Sequence, residues 1–118
     1  MKYMLLIHQG NTPLPGSPEW DAISEEEKNQ VYADYQALGE TPGVTAGERL
    51  QGPDSATTVR VEGGETLVTD GPFAETKEAL GGWATFEADD LDAAIALAAR
   101  IPAARMGGGV EIRPFMEG

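Results

Sequence analysis

Cysteine is absent from this 118-residue chain, and histidine occurs once. Without thiols there can be no disulfide, no thiolate metal site and no cysteine nucleophile. A single imidazole without thiols argues against a zinc centre, which draws its ligands mainly from His and Cys. Basic residues are scarce too: eight Lys and Arg stand against twenty Asp and Glu, for a formal net charge of −12. That balance argues against nucleic acid and anionic membrane surfaces as partners, because both are bound through clustered cations. Long apolar runs are also missing. The N-terminal run ends at His8, too short for a signal peptide's apolar core or a membrane span, so a soluble cytoplasmic protein is expected. There is no phosphate-cradling glycine loop followed by Lys-Ser/Thr, and Gly107-Gly108-Gly109 is too generic to count. No ligand spacing among the acids supports Mg²⁺ or Ca²⁺. Neither a metal nor a cofactor is expected.

What is present reads as one domain over residues 1–118, large enough to bury roughly two-thirds of its unfolded surface. Lys2 to His8 has the look of a strand with apolar residues on both faces: Tyr3, Leu5 and Ile7 on one, Met4 and Leu6 on the other. Two helices can cover only one face of a small sheet, and a second subunit is the simplest cover for the other. Gln9 to Pro18, with Gly10, Pro13, Pro15, Gly16 and Pro18, reads as an irregular loop over a pocket mouth. Ser24 and Glu27 form a capping box ahead of a helix running to about Leu38, with Gly39 as its left-handed end. Val44 to Leu50 is predicted as a strand. Thr57–Glu62 and Glu65–Thr69 flank Gly63-Gly64, a two-residue hairpin signal. Trp83 to Glu87 is a further strand. Asp89 or Asp90 caps a second helix with Leu91, Ala94, Ile95 and Ala98 as its stripe, and Val110 to Phe115 closes the chain as a strand. The order is α+β, a βαββαβ plan with an additional hairpin, as in ferredoxin-like domains.

The densest chemistry lies in Thr69-Asp70-Gly71-Pro72-Phe73-Ala74-Glu75-Thr76-Lys77-Glu78, followed by Gly81-Gly82-Trp83. An acid ends an extended run, Gly71 and Pro72 bend the backbone, and Phe73 stands beyond as an apolar anchor. This stretch resembles the signature of the YCII-related family, in the branch named for its Asp-Gly-Pro-Phe motif. Four further blocks match in order: Met1 to Ile7, the Thr57–Val61 and Leu67–Thr69 hairpin, Ile101 to Arg105, and Val110 to Pro114. The resemblance implies a ferredoxin-like domain that dimerises as an α/β barrel, and a functional link to extracytoplasmic-function sigma factors. A few relatives in the wider group resemble dehydrochlorinases with a His–Asp pair, whose histidine lies on the first helix. Here Glu25 to Leu38 contains no histidine, so that mechanism does not transfer.

Asp70 and His8 are the catalytic candidates. His8, the sole group titrating near neutrality, ends the first strand beside the loop; it also fits a polar strand end bonded to backbone. Asp70 fits a ligand-orienting or acid–base carboxylate, and equally an Asx-type turn accepting from Gly71 or Phe73. Phe73, Lys77, Glu78 and Arg113 are the ligand-binding candidates. Lys77 offers a cation beside the motif turn. Arg113 shares a strand face with Glu111 and Phe115, placed to meet a ligand, a second subunit or an acid. Trp83, Phe86 and Phe73 read as core. Two functions stay open: a small-molecule enzyme using acid–base chemistry, and a non-catalytic metabolite-binding or regulatory module.

Overall fold

Strand β1, Lys2–His8, is the centre of the molecule, and the alternation of its side chains decides the architecture. Tyr3, Leu5 and Ile7 are buried, whereas Met4, Leu6 and His8 on the opposite face are only half-buried. The computed structural model describes residues 1–71 and 80–116. After β1 come α1 (Pro18–Asp21), α2 (Glu25–Glu40), β2 (Val44–Ala46), β3 (Thr57–Glu62), β4 (Glu65–Asp70), β5 (Leu80–Glu87), α3 (Leu91–Ala98) and β6 (Gly109–Pro114). Four strands form one sheet in the order β2-β5-β1-β6, with every neighbouring pair antiparallel. The helical crossovers β1–α2–β2 and β5–α3–β6 each skip one strand. This split βαβ arrangement is the ferredoxin-like plan. β3 and β4 form a separate two-stranded sheet inserted between β2 and β5.

The core lies on the Tyr3–Leu5–Ile7 face. Leu5, Ile7 and Ala84 meet Leu38 of α2, Leu97 of α3, and Ile101 and Ala103 beyond it. Tyr3 packs with Ala88 and Ala94 in an adjoining cluster. Phe86 packs against both clusters, as expected. Trp83, expected in the core, is instead 38 % exposed. It pairs with Leu6 across the β1–β5 ladder and so shares Leu6's face, away from the helices.

Several boundaries differ from the sequence reading, each for a local reason. α2 starts as predicted, with Ser24 Oγ accepting from the Glu27 N–H at 3.1 Å. It does not end at Gly39. The Thr41 N–H donates to Leu38 O (3.2 Å) and the Thr41 hydroxyl to Ala37 O (2.7 Å), so the last carbonyls are satisfied without a left-handed glycine. The left-handed residue is Gly43, φ 86°. The Gln9–Pro18 loop runs into a short helix, α1, capped by Ser17, which buries Trp20 edge-on against Tyr32 with ring centroids 5.6 Å apart. α3 is capped by Asp90, whose Oδ1 accepts from the Ala93 N–H at 2.9 Å. It buries Ala94, Leu97 and Ala98, while Leu91 and Ile95 of the expected stripe are exposed.

The β3–β4 hairpin turns on Gly63 and Gly64, both with positive φ (58° and 80°), as a two-residue turn of the primed type requires. Val59, Val61 and Val68 share one of its faces and are 59–67 % exposed. Isolated two-stranded hairpins are marginal in water. The radius of gyration, 16.1 Å, exceeds the roughly 13.5 Å of a compact chain this long.

Candidate functional site

His8 and Arg113, two candidates named from the sequence, are joined by a third residue that was not. Glu111 and Arg113 stand two apart on β6 and so share a face. In the β1–β6 register Glu111 lies opposite Leu6, one diagonal step from His8, and Gly109 lies opposite His8. A glycine there leaves room for the imidazole to lean along the strand toward Glu111. His8 Nε2 lies 3.1 Å from Glu111 Oε1, and Arg113 Nε donates to Glu111 Oε2 at 2.6 Å. The carboxylate thus bridges imidazole and guanidinium, using one oxygen for each. The chain lies on the sheet face opposite the core, with Met4, Leu6 and Trp83.

The Arg113 hydrogen bond, and then that of His8, hold the Glu111 carboxyl below its ordinary value near 4.5, opposed by desolvation. A depressed carboxyl stabilises the fold above its unfolded pKa, and that contribution disappears as pH falls through the folded value. Carboxyl-carbon NMR should therefore place the Glu111 midpoint below the usual carboxylate range. In Arg113→Gln the midpoint should move up toward that range; a midpoint unmoved by the substitution would assign the shift elsewhere.

Asp70 occupies a different place. It ends β4 on the separate hairpin, opposite Thr57, and is exposed. The bend after it is closed by other groups: the Gly71 N–H donates to Ala56 O, and the Thr58 hydroxyl donates to Gly71 O, both at 2.7 Å. Gly71 has φ 105°, which explains the glycine. Among the described residues, no hydrogen bond or ion pair links Asp70 to His8, Glu111 or Arg113. Phe73, Lys77 and Glu78 lie outside the described residues.

The loop after His8 walls a cleft on the helix side, to which Gln9 and Leu14 contribute. Among the described residues no group of three or more His, Asp or Glu is placed to share a metal ion. No helix among them is long and apolar enough to cross a membrane.

Comparison with known proteins agrees with this architecture. The chain is 39 % identical over 100 residues to an uncharacterized protein of Rhizobium meliloti (strain 1021), a match spanning 80 % of each chain. The profile of the YCII-related domain matches residues 1–117. With that span and the split βαβ sheet, the chain belongs to the YCII-related family.

Proposed function

We propose that this YCII-related protein is a homodimer that holds a small organic molecule against the helix-free face of its sheet, with His8 as the proton-transferring group. The observation that carries this reading is the His8–Glu111–Arg113 chain. A carboxylate against Nε2 favours the neutral tautomer protonated there and fixes the orientation of the ring, as the partner of a proton-transferring imidazole does. It also stabilises the imidazolium formed once a proton is taken. Arg113 fixes the carboxylate and keeps it ionised. Asp70, Phe73, Lys77 and Glu78 are the proposed further ligand contacts.

Dimerisation is supported by surface. The chain exposes 7959 Å², against roughly 6,200 Å² for a compact monomer of this size. An excess of roughly 1,800 Å² per chain falls within what obligate homodimers bury. Met4, Leu6 and Trp83 on the sheet, and Val59, Val61 and Val68 on the hairpin, are the apolar groups available for it.

A panel of small organic acids, amides and halogenated compounds, screened by thermal shift, tests the site. A compound using it should stabilise the native protein but not His8→Gln or Glu111→Gln, whose unliganded folds should melt close to the parent. Chromatography of the bound compound after incubation then separates the two classes: conversion marks an enzyme, and recovery unchanged marks a binding module. Equal stabilisation of both variants would remove His8 from the site.

A further inference from the structure

We propose that the cleft between α2 and the β2–β5 edge is a second binding site, for a small organic carboxylate with an apolar body, and that Arg49 holds the carboxylate. The cleft is distinct from the His8 site: Ile7 lines it, whereas His8 bonds Glu111 on the opposite sheet face. Its volume is about 200 Å³, comparable with six or seven waters at roughly 30 Å³ each, so a molecule of modest size fits. Ile7, Leu14 and Leu38 supply apolar wall; Gln9, Tyr35 and Arg49 supply hydrogen-bonding groups. Apolar walls with a few polar groups are what small-molecule sites have in common.

Three features show that the backbone is shaped around this space. The Gly47 N–H donates to Trp83 O at 2.9 Å, but it is the Leu50 N–H, not that of Arg49, that reaches Gly81 O at 3.1 Å. A regular antiparallel ladder advances two residues on each strand; here the segment after β2 advances three. The extra residue ends β2 at Ala46, short of the expected Leu50, and brings Glu48 and Arg49 to the cleft. Next, Gly81 lets the Gln9 carboxamide lie directly against the strand: a Cβ there would meet the amide and push the side chain aside. Finally, an adjoining cavity of about 190 Å³ shares Gln9, Leu14, Arg49 and Gly81, so Arg49 stands at the junction of both spaces.

Charge selects the ligand class. In a chain of net charge −12, Arg49 makes no ion pair or hydrogen bond among the described residues, not even with the neighbouring Glu48. The nearby Arg105 is committed to Asp34 at 2.7 Å. Burial pushes the Tyr35 hydroxyl above its ordinary pKa, opposed by the positive charges of Arg49 and Arg105. The hydroxyl therefore stays protonated and able to donate, next to a guanidinium that can take a carboxylate in fork geometry.

The probe is benzoate, with neutral benzamide as its isostere, titrated into the protein and followed by two-dimensional amide NMR. Benzoate should shift the Gly47, Gly81 and Gly82 amides saturably, with benzamide at least about tenfold weaker. Arg49→Gln, an exposed substitution that leaves the core untouched, should weaken benzoate at least about tenfold and leave benzamide unchanged. His8→Gln should bind benzoate as the parent does, which separates this site from the His8 site. No saturable shift up to about 10 mM, equal binding of the two probes, or indifference to Arg49→Gln would each overturn the assignment.

Discussion

Leu6→Asp should convert the protein from a dimer to a folded monomer. Leu6 sits in the middle of β1, opposite Trp83 on β5 and Glu111 on β6, on the face without helices. A two-fold interface repeats the substitution, so each lost leucine contact and each buried carboxylate counts twice. Burying a leucine contributes about 1.5–3 kcal/mol and leaving an unpaired charge in an interface costs more. The dimer dissociation constant should rise more than about a hundredfold. Light scattering at tens of micromolar should report twice the monomer mass for the parent and the monomer mass for the variant. Far-ultraviolet circular dichroism should be retained, because the core on the other face is intact. A parent that is already monomeric, or a variant that stays dimeric, would remove this face from the interface.

Leu5→Ala, one residue earlier on the same strand, should have the opposite phenotype. Leu5 is 0 % exposed and meets residues from both long helices and from β5. Truncating a leucine in such a site costs about 2–5 kcal/mol, because the cavity left behind collapses only partly. That is a large share of the 5–15 kcal/mol typical of whole domains. Urea denaturation at one fixed protein concentration should show it, because the stability of a self-associating chain depends on concentration. A loss below about 1 kcal/mol would mean that the core is not centred on β1.

The contrast between these neighbours was legible in the sequence, because alternation along a strand sorts side chains by face without further information. The capping box at Ser24 and the Gly63-Gly64 turn were legible for the same reason: each is decided by a few adjacent residues. Other features were not local. α3 is apolar nearly all round, so periodicity could not say that Leu97 would face in and Ile95 out. The end of α2 depended on the Thr41 hydroxyl substituting for a left-handed glycine. Trp83 looked like core by size, and its outward face followed from its register against Leu6.

The candidate site divides in the same way. His8 was found as the sole imidazole and Arg113 by its place on the last strand, where Glu111 was noted only as sharing its face. That Glu111 would bridge them depended on the β1–β6 register and on Gly109 facing His8, neither of which is written in any one segment. The ladder slip that carries Arg49 to the cleft was invisible too, because Val44 to Leu50 reads as an uninterrupted strand.

The most direct test of the central claim uses the fact that the chain has one histidine. Ring-labelled His8 gives an unambiguous imidazole signal, which can be followed while compounds from the panel are added. In the native protein a ligand of this site should shift that signal saturably, and the shift should vanish in Glu111→Gln and in Leu6→Asp. An imidazole signal left unmoved by every compound that binds, or moved equally in Leu6→Asp, would contradict a site built on His8 and closed by a second copy.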